Sequence, residues 1–142
     1  MLIGQKDITI DDKGRLVLPS LFRDAFTGGK SYASLGLDGC LELYPTEIYL
    51  AKAEKIVALN DLNLTARKVQ RTFLANTYEI PIDSHNRILL PKNLLEKTET
   101  GRKVVVIGLF DHLEIWDADK YVALSKEEES TYSANASSLL EK

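Results

Sequence analysis

The sequence is poor in the residues that build disulfides, metal centres and membrane spans. Its 142 residues include one cysteine, Cys40, and two histidines, His85 and His112. One cysteine excludes an intrachain disulfide framework, and two imidazoles are too few for an ordinary tetrahedral zinc site. No stretch reaches the roughly 18 apolar residues of a membrane helix, and the opening MLIGQKDITI lacks the pattern of a signal peptide. We therefore expect a cytoplasmic protein with no metal and no membrane partner.

The motifs of common enzymes are also missing from the sequence. The chain has no GxxxxGK phosphate loop, no GxSxG nucleophile turn and no cluster of histidine and cysteine at metal-binding spacing. No paired histidine and carboxylate is suggested near Cys40, so we interpret it as a small strand residue. The plentiful carboxylates are interpreted as solvated surface. We predict a protein that is not an enzyme, with no cofactor and no small-molecule substrate.

Charge is unevenly distributed along the chain. A share of 44% hydrophobic residues favours a folded core, and the net charge is −3. Residues 1–50 carry −2, residues 51–103 carry +4 and residues 104–142 carry −5. The basic middle forms either a positive face for nucleic acid or an ordinary solvated surface. Its candidate side chains are Arg67, Lys68, Arg71, Arg87, Lys92, Lys97, Arg102 and Lys103.

An internal repeat is the strongest feature of the sequence. DDKGRLVLP at residues 11–19 recurs 72 positions later as DSHNRILLP at residues 83–91, and the match continues at the same offset without a gap. This period is longer than that of solenoid repeats, so we interpret it as two copies of one small module. Neither copy is large enough to bury a generous core alone. The two copies are therefore predicted to pack together or to assemble further.

Each copy predicts the same succession of elements. DITI with RLVL, and YEIPI with RILL, have the pattern of a hairpin closed by the turns DDKG and DSHN. Gly14 and Asn86 both tolerate a positive φ, which favours one turn geometry in both copies. A short helix is expected after each proline, followed by a second strand pair and then a helix that begins near Thr46 or Asp117.

The segment between the copies is predicted to be an amphipathic helix. Its apolar residues recur at helical spacing, and its opposite face is basic. The helix bridges the modules through the apolar stripe or offers its basic face to phosphate. We divide the chain into a first module at 1–59, a connecting helix at 60–76, a second module at 77–128 and a charged C-terminal helix or tail at 129–142.

The turn residues suit either nucleic acid or an internal ion pair. An arginine directly after a tight turn projects from a rigid strand, and its planar fork binds phosphate oxygens or the paired acceptors of guanine. Asp11 either orients Arg15 for such a contact or holds it in a salt bridge that braces the turn. Lys13, at the tip of the turn, is either a phosphate contact or simply an exposed lysine.

With LGLDGCLELY and IGLFDHLEIW after its two motifs, the chain resembles the MraZ family, part of the AbrB-like group of bacterial regulators and antitoxins. The resemblance covers nearly the whole chain. It implies a mixed α+β, mainly β fold, in which two tandem pseudo-symmetric AbrB-like modules of the swapped-hairpin type carry short helices and pack as one protomer. The family's DNA-binding motif falls on Asp11, Lys13, Gly14, Arg15, Asp83, Asn86 and Arg87.

The same resemblance implies a transcriptional regulator of the bacterial division and cell wall gene cluster. Such a protein binds short direct repeats in double-stranded DNA upstream of its own gene, assembles as a ring and associates with the nucleoid. A ring also suits a chain of negative net charge, because several identical turns engage repeated boxes together. Asn86 departs from the family's glycine and no lysine precedes it. The second copy is therefore expected to be the weaker reader, with Arg87 serving mainly structure or subunit contacts.

A second class of function stays open at this point. The β-rich halves also suit an AbrB-like protein-interaction or antitoxin-type module that binds a partner polypeptide without specific DNA binding. In that interpretation the two arginines serve contacts between subunits.

Overall fold

The computed structural model describes residues 1–141, which form a mixed α+β protein as the sequence predicts. A 3₁₀ helix spans Ser20–Ala25, and the α-helices are α1 (Thr46–Val57), α2 (Leu64–Ala75), α3 (Lys92–Lys97) and α4 (Ala118–Leu140). The strands are β1 (Gln5–Thr9), β2 (Arg15–Val17), β3 (Lys30–Leu35), β4 (Leu41–Tyr44), β5 (Tyr78–Pro81), β6 (Arg87–Leu89), β7 (Lys103–Gly108) and β8 (Leu113–Asp117).

The strands show that the two copies are interlocked. Six of them form an antiparallel sheet in the order β1-β7-β8-β4-β3-β5, and β2 pairs with β6 in a separate ladder. The first copy's β1 pairs with β7 of the second copy, while β5 of the second copy pairs with β3 of the first. The prediction that two swapped modules pack as one protomer is confirmed.

The simple hairpin predicted at each motif is wrong in its strand partners. The turn after β1 closes locally, since the amide of Asp11 donates to the carbonyl of Arg15 at 2.9 Å. Beyond it, however, β2 pairs with β6, with Leu16 directly opposite Ile88. Both of these side chains are fully buried. A three-residue strand forms few hydrogen bonds, so side-chain packing determines its partner. The strand β2 pairs with β6, its counterpart in the repeat, because this pairing buries both apolar side chains.

The main core lies between the six-stranded sheet and the β2–β6 ladder. Alternate residues of β4 and β8 point into it, and the 3₁₀ helix and α3 close its sides through Phe22 and Leu94. The helices α1 and α2 cover the other face of the sheet, where Tyr49 stacks between Tyr32 and Phe73. The molecule is therefore layered, with the ladder on one side of the sheet and the long helices on the other.

The repeat keeps its 72-residue offset in sequence but slips by one residue in space. Ala33 in β3 belongs to the main core, yet its counterpart at this offset, Val105, does not; Val104 and Val106 take its place. The hairpin turns absorb the difference, because five residues separate the last pair of β3 and β4 and four separate that of β7 and β8. A slip of one residue exchanges the two faces of a strand.

The helix predicted between the copies and the helices predicted near Thr46 and Asp117 are present. Asn63 and Asp117 cap α2 and α4 by accepting hydrogen bonds from the amides of Ala66 and Lys120, as polar N-cap residues do. The helix α2 packs on α1 through Phe73, and α4 runs without interruption across position 128. No helix within residues 1–141 combines the length and apolar character required to cross a membrane.

Truncation of Leu16 should destabilise the whole molecule, because this side chain is fully buried where the two copies meet. Leu16→Ala is expected to lower the free energy of unfolding by about 2–5 kcal/mol in urea titrations. Val17→Ala, on the same strand but 46% exposed, is the matched control and should cost less than about 1 kcal/mol. Equal losses in the two variants would contradict the packing described.

Candidate nucleic-acid interface

The first motif is built around one aspartate. The Asp11 Oδ1 atom accepts hydrogen bonds from the backbone amides of Lys13 and Arg15, both at 2.9 Å. Its Oδ2 atom accepts from the Arg15 Nε atom at 2.7 Å. A single carboxylate therefore shapes the turn and fixes the arginine, so bracing and orientation, which the sequence left as alternatives, are one interaction.

The second motif repeats this geometry closely. The Asp83 Oδ1 atom accepts from the amides of His85 and Arg87 at 2.8 and 2.9 Å. Its Oδ2 atom accepts from the Arg87 Nε atom at 2.7 Å, the same distance as in the first copy. His85 and Asn86, which stand where the first copy has Lys13 and Gly14, have therefore left the brace intact, although the second tip lacks the lysine charge.

Positive φ angles explain why glycine and asparagine alternate at one position of the turn. Gly14 has φ of +86° and Asn86 has φ of +59°. Asparagine is among the few residues with a side chain that adopt this region readily. The two turns also lock the ladder, since the carbonyls of Gly14 and Asn86 accept from the amides of Leu90 and Leu18 at 3.0 and 2.8 Å. Each turn is thus hydrogen-bonded to the other copy.

The outward side of the β2–β6 ladder, made of Arg15, Val17, Arg87 and Leu89, brings the two motifs together. Arg15 lies opposite Leu89 and Val17 opposite Arg87, so the four side chains share one face. The arginines stand on a diagonal of this outward ladder face, where neighbouring residues are roughly 7–8 Å apart and their Cβ atoms somewhat closer. Within residues 1–141 neither arginine uses its terminal Nη atoms in a hydrogen bond. Both forks are therefore available to an external acceptor.

The aspartates are held in their charged form. The hydrogen bond from the Arg15 backbone amide, assisted by the guanidinium, lowers the pKa of Asp11 to about 2. Arg87 does the same for Asp83, whose pKa is also about 2. Both carboxylates thus keep their arginines oriented at neutral pH.

The basic residues of the middle segment do not form one face. Arg67, Lys68 and Arg71 lie on α2, which packs on the side of the sheet opposite the ladder. Arg102 instead lies beside the first turn, where its Nη2 atom contacts Asp12 at 2.8 Å and its Nε atom donates to the Ile10 carbonyl. The charge run therefore contributes to the ladder side only in part.

Sequence reasoning identified the turn residues but missed Val17 and Leu89. Both are exposed apolar residues on the outward ladder face. The alternation in RLV and RIL places them beside the arginines, a signal that was present but uninterpreted. Nothing in either strand alone showed that the two would lie side by side, because that depends on β2 pairing with β6.

Comparison with known proteins shows the same duplication. The family model described as "MraZ protein, putative antitoxin-like" matches residues 1–72 and again residues 73–142. Transcriptional regulator MraZ of Limosilactobacillus fermentum is 38% identical over 123 residues, covering 87% of this chain and 85% of the relative. The same-named proteins of Desulfitobacterium hafniense and Moorella thermoacetica are 36% and 35% identical, covering 99% of this chain and 97% and 98% of their own.

The fold and the ladder define a class of duplicated, strand-exchanged proteins in which each copy presents an aspartate-braced arginine. Relatives that match almost end to end are named as transcriptional regulators, which is not a class of enzyme. The chain belongs to the MraZ family, as the resemblance in its motifs indicated.

Acid should release the two braces together. The lowered pKa of Asp11 and Asp83 means that their contribution to stability is complete above about pH 4 and is lost as pH falls toward 2. The native protein should therefore lose its advantage over the double variant Asp11→Asn, Asp83→Asn across this interval. Thermal unfolding at half-unit pH steps measures the difference, and a constant difference down to pH 2 would refute the brace.

Proposed function

We propose that this protein is a sequence-specific DNA-binding transcriptional regulator that reads DNA with the outward ladder face. The observation that carries the proposal is the identical bracing of Arg15 and Arg87, each with its Nε atom held and its Nη atoms free. A guanidinium fixed in this way loses little rotamer entropy when it meets guanine or phosphate oxygens. The same arrangement in both copies supports two reading residues in place of one.

The shape of the ladder suits the major groove. A two-stranded antiparallel ribbon fits a groove about 12 Å wide, and side chains on its outer face then reach the base edges. In the proposed complex Arg15 and Arg87 bind guanine acceptors or phosphates, while Val17 and Leu89 contact thymine methyl groups. Lys13, at the tip of the first turn, binds a phosphate. The second turn carries His85 at that position, so its backbone contact is weaker.

Assembly supplies the affinity that one protomer lacks. The net charge of −3 and the small number of cations on each ladder limit the binding of a single protomer at physiological salt. We propose a homo-oligomeric ring that presents several ladders to direct repeats upstream of the protein's own gene. Strongly exposed apolar side chains at the turns after β3 and β7, Leu37 and Phe110, support contacts between protomers.

The resulting regulator acts, in this proposal, on the bacterial division and cell wall gene cluster, in the cytoplasm and at the nucleoid. The similarity over nearly the full chain to proteins named as transcriptional regulators supports a role in transcription. An antitoxin-type contact with a partner polypeptide is the alternative. The exposed Val17 and Leu89 favour it, because an apolar pair flanked by two arginines also suits an acidic peptide strand.

Removal of either arginine should weaken DNA binding without unfolding the protein. Arg15→Ala and Arg87→Ala are each expected to cost about 1–3 kcal/mol, roughly 5- to 150-fold in Kd, on a duplex from the upstream region of the gene. Fluorescence anisotropy across a salt series measures the loss. Arg71→Ala, an exposed arginine on α2 across the sheet, is the matched control and should bind like the native protein.

Three results of this titration separate the interpretations. Loss with both ladder variants but not with Arg71→Ala supports the proposal, provided that circular dichroism and oligomer size are unchanged. A loss confined to Arg15→Ala assigns reading to the first copy and structure to the second. No preference of the native protein for the upstream duplex over random DNA at any salt concentration overturns the regulator and favours a protein partner.

A duplex that carries several copies of the recognised DNA repeat (boxes) should be bound more tightly than a duplex that carries one. If several ladders engage DNA at once, a duplex with three boxes is expected to bind about 10²–10⁴-fold more tightly than a duplex with one. The control duplex has the same length and base composition with two boxes scrambled. Equal affinity for the two duplexes would exclude multivalent binding.

A further inference from the structure

A row of polar side chains crosses the middle of the sheet on its helix-covered face. Ser34 of β3 lies directly opposite Glu42 of β4, and Glu42 lies directly opposite Glu114 of β8. Directly opposed residues share one face of an antiparallel sheet, so the three side chains stand side by side. His112 lies just before β8 and adds an imidazole to the row. The Nε2 atom of this imidazole lies 3.2 Å from the Glu42 Oε2 atom.

Two carboxylates in this position need a positive partner. Glu42 is only 6% exposed, and like charges directly opposite each other destabilise a strand pair. The ammonium of Lys52 is the nearby positive group, and its Nζ atom is 3.6 Å from the Glu42 Oε1 atom. The imidazole of His112 is the other nitrogen-bearing group beside this carboxylate. Lys52 reaches in from α1, and a third of its side chain is exposed, so it can leave the row without unfolding the helix.

The geometry of the row matches a cation site. One nitrogen of His112 and one carboxylate oxygen each from Glu42 and Glu114 all lie within 4.8 Å of one another. Ligand atoms around a bound zinc ion at about 2.0–2.2 Å stand somewhat closer than this, within reach of small rotations of the side chains. An independent observation points the same way. The hydroxyl of Ser34 is fully buried beside Glu42 and has no hydrogen-bond partner among residues 1–141.

We propose that Glu42, His112 and Glu114 form a binding site for a first-row divalent cation of the zinc type. One imidazole and two carboxylates are borderline ligands that zinc accepts, and zinc binds such sets more tightly than manganese or iron. The cation supplies positive charge beside the two carboxylates and takes the place of the Lys52 ammonium. The buried Ser34 hydroxyl, on the residue opposite Glu42, hydrogen-bonds to water held by the ion.

The proposed site joins the two copies of the module. Glu42 belongs to the first copy, whereas His112 and Glu114 belong to the second, and all three flank the pairing of β4 with β8. A bound cation therefore stabilises the centre of the interlocked sheet, on the side away from the outward ladder face. The sequence-based expectation of no metal considered only cysteine and histidine spacing and treated the carboxylates as solvated.

Trp116 is a built-in reporter of the site. It is the only tryptophan of the chain, and its Nε1 atom donates to the Glu114 Oε1 atom at 2.9 Å. Titration of the full, chelator-treated protein with Zn²⁺ is expected to change its fluorescence and to saturate at one ion per protomer. Zinc at about 100 times its Kd should also raise the Tm by roughly 5–10 °C.

Variants separate this site from adventitious zinc binding. Glu114→Gln and His112→Gln should each weaken binding by more than the ~10–100-fold that loss of an outer partner costs, because each removes a direct ligand. His85→Gln removes the other histidine of the chain and should leave binding unchanged, as should Cys40→Ala. Circular dichroism of the metal-free variants establishes that they are folded.

Each outcome of the zinc titrations either supports or overturns the proposed site. Saturable binding that both ligand variants lose and both controls keep supports the proposal. Binding that survives Glu114→Gln and His112→Gln, or that disappears with Cys40→Ala, places zinc elsewhere and overturns it. Absence of any change in fluorescence, Tm or bound metal by dialysis also overturns it. Parallel titration with Mg²⁺ should give no saturation, because the imidazole is a poor ligand for that ion.

Discussion

Leu16 and Ile88 face each other on the inner side of the β2–β6 ladder, and the fold and the proposed reading surface both depend on this contact. Because alternate residues of a strand point to opposite faces, burial of this pair turns Arg15, Val17, Arg87 and Leu89 outward. The same pairing carries the two turns to opposite ends of one short ribbon. Core packing and the surface offered to a partner are thus set by a single register, and a slip of one residue would bury the arginines.

The hydrogen bonds of Asp11 and Asp83 give the two turns the same shape, although the residues between aspartate and arginine differ. In each copy the carboxylate accepts two backbone amides and one arginine Nε atom, so only the aspartate, the arginine and one residue with a positive φ are required. The intervening residues contribute only backbone groups to the turn, and their side chains make no contact that it needs. This freedom explains why Lys13 corresponds to His85 and Gly14 to Asn86 while the distances between Nε and Oδ2 are the same in the two copies.

Local features of the sequence predicted most of the helices and strands. The features that it did not predict depend on which strands pair with each other. Turn chemistry predicted the positive φ of Gly14 and Asn86, and helical spacing predicted α2. The alternation of RLV and RIL specifies an inward and an outward face, but not which strand lies alongside, so the exchange of strands came only from the resemblance. The slip between β3 and β7 was hidden because the VVVI run of β7 is apolar on both faces, so its sequence alone does not show which residues enter the main core. The row of Ser34, Glu42 and Glu114 likewise depends on pairing between distant strands.

Because both copies lie in one chain, the exchange of strands between them is a unimolecular step of folding. A chain with a single copy would have no β7 for its β1, so the same sheet would require two molecules and its stability would depend on concentration. Here residues 60–76 tie the copies together, and the exchange of β1 and β5 becomes an intramolecular step at a fixed, high effective concentration. Once joined, the copies no longer need to be identical. The positions of Cys40 and His112, equivalent in the repeat, are free to serve different chemistry in one folded unit.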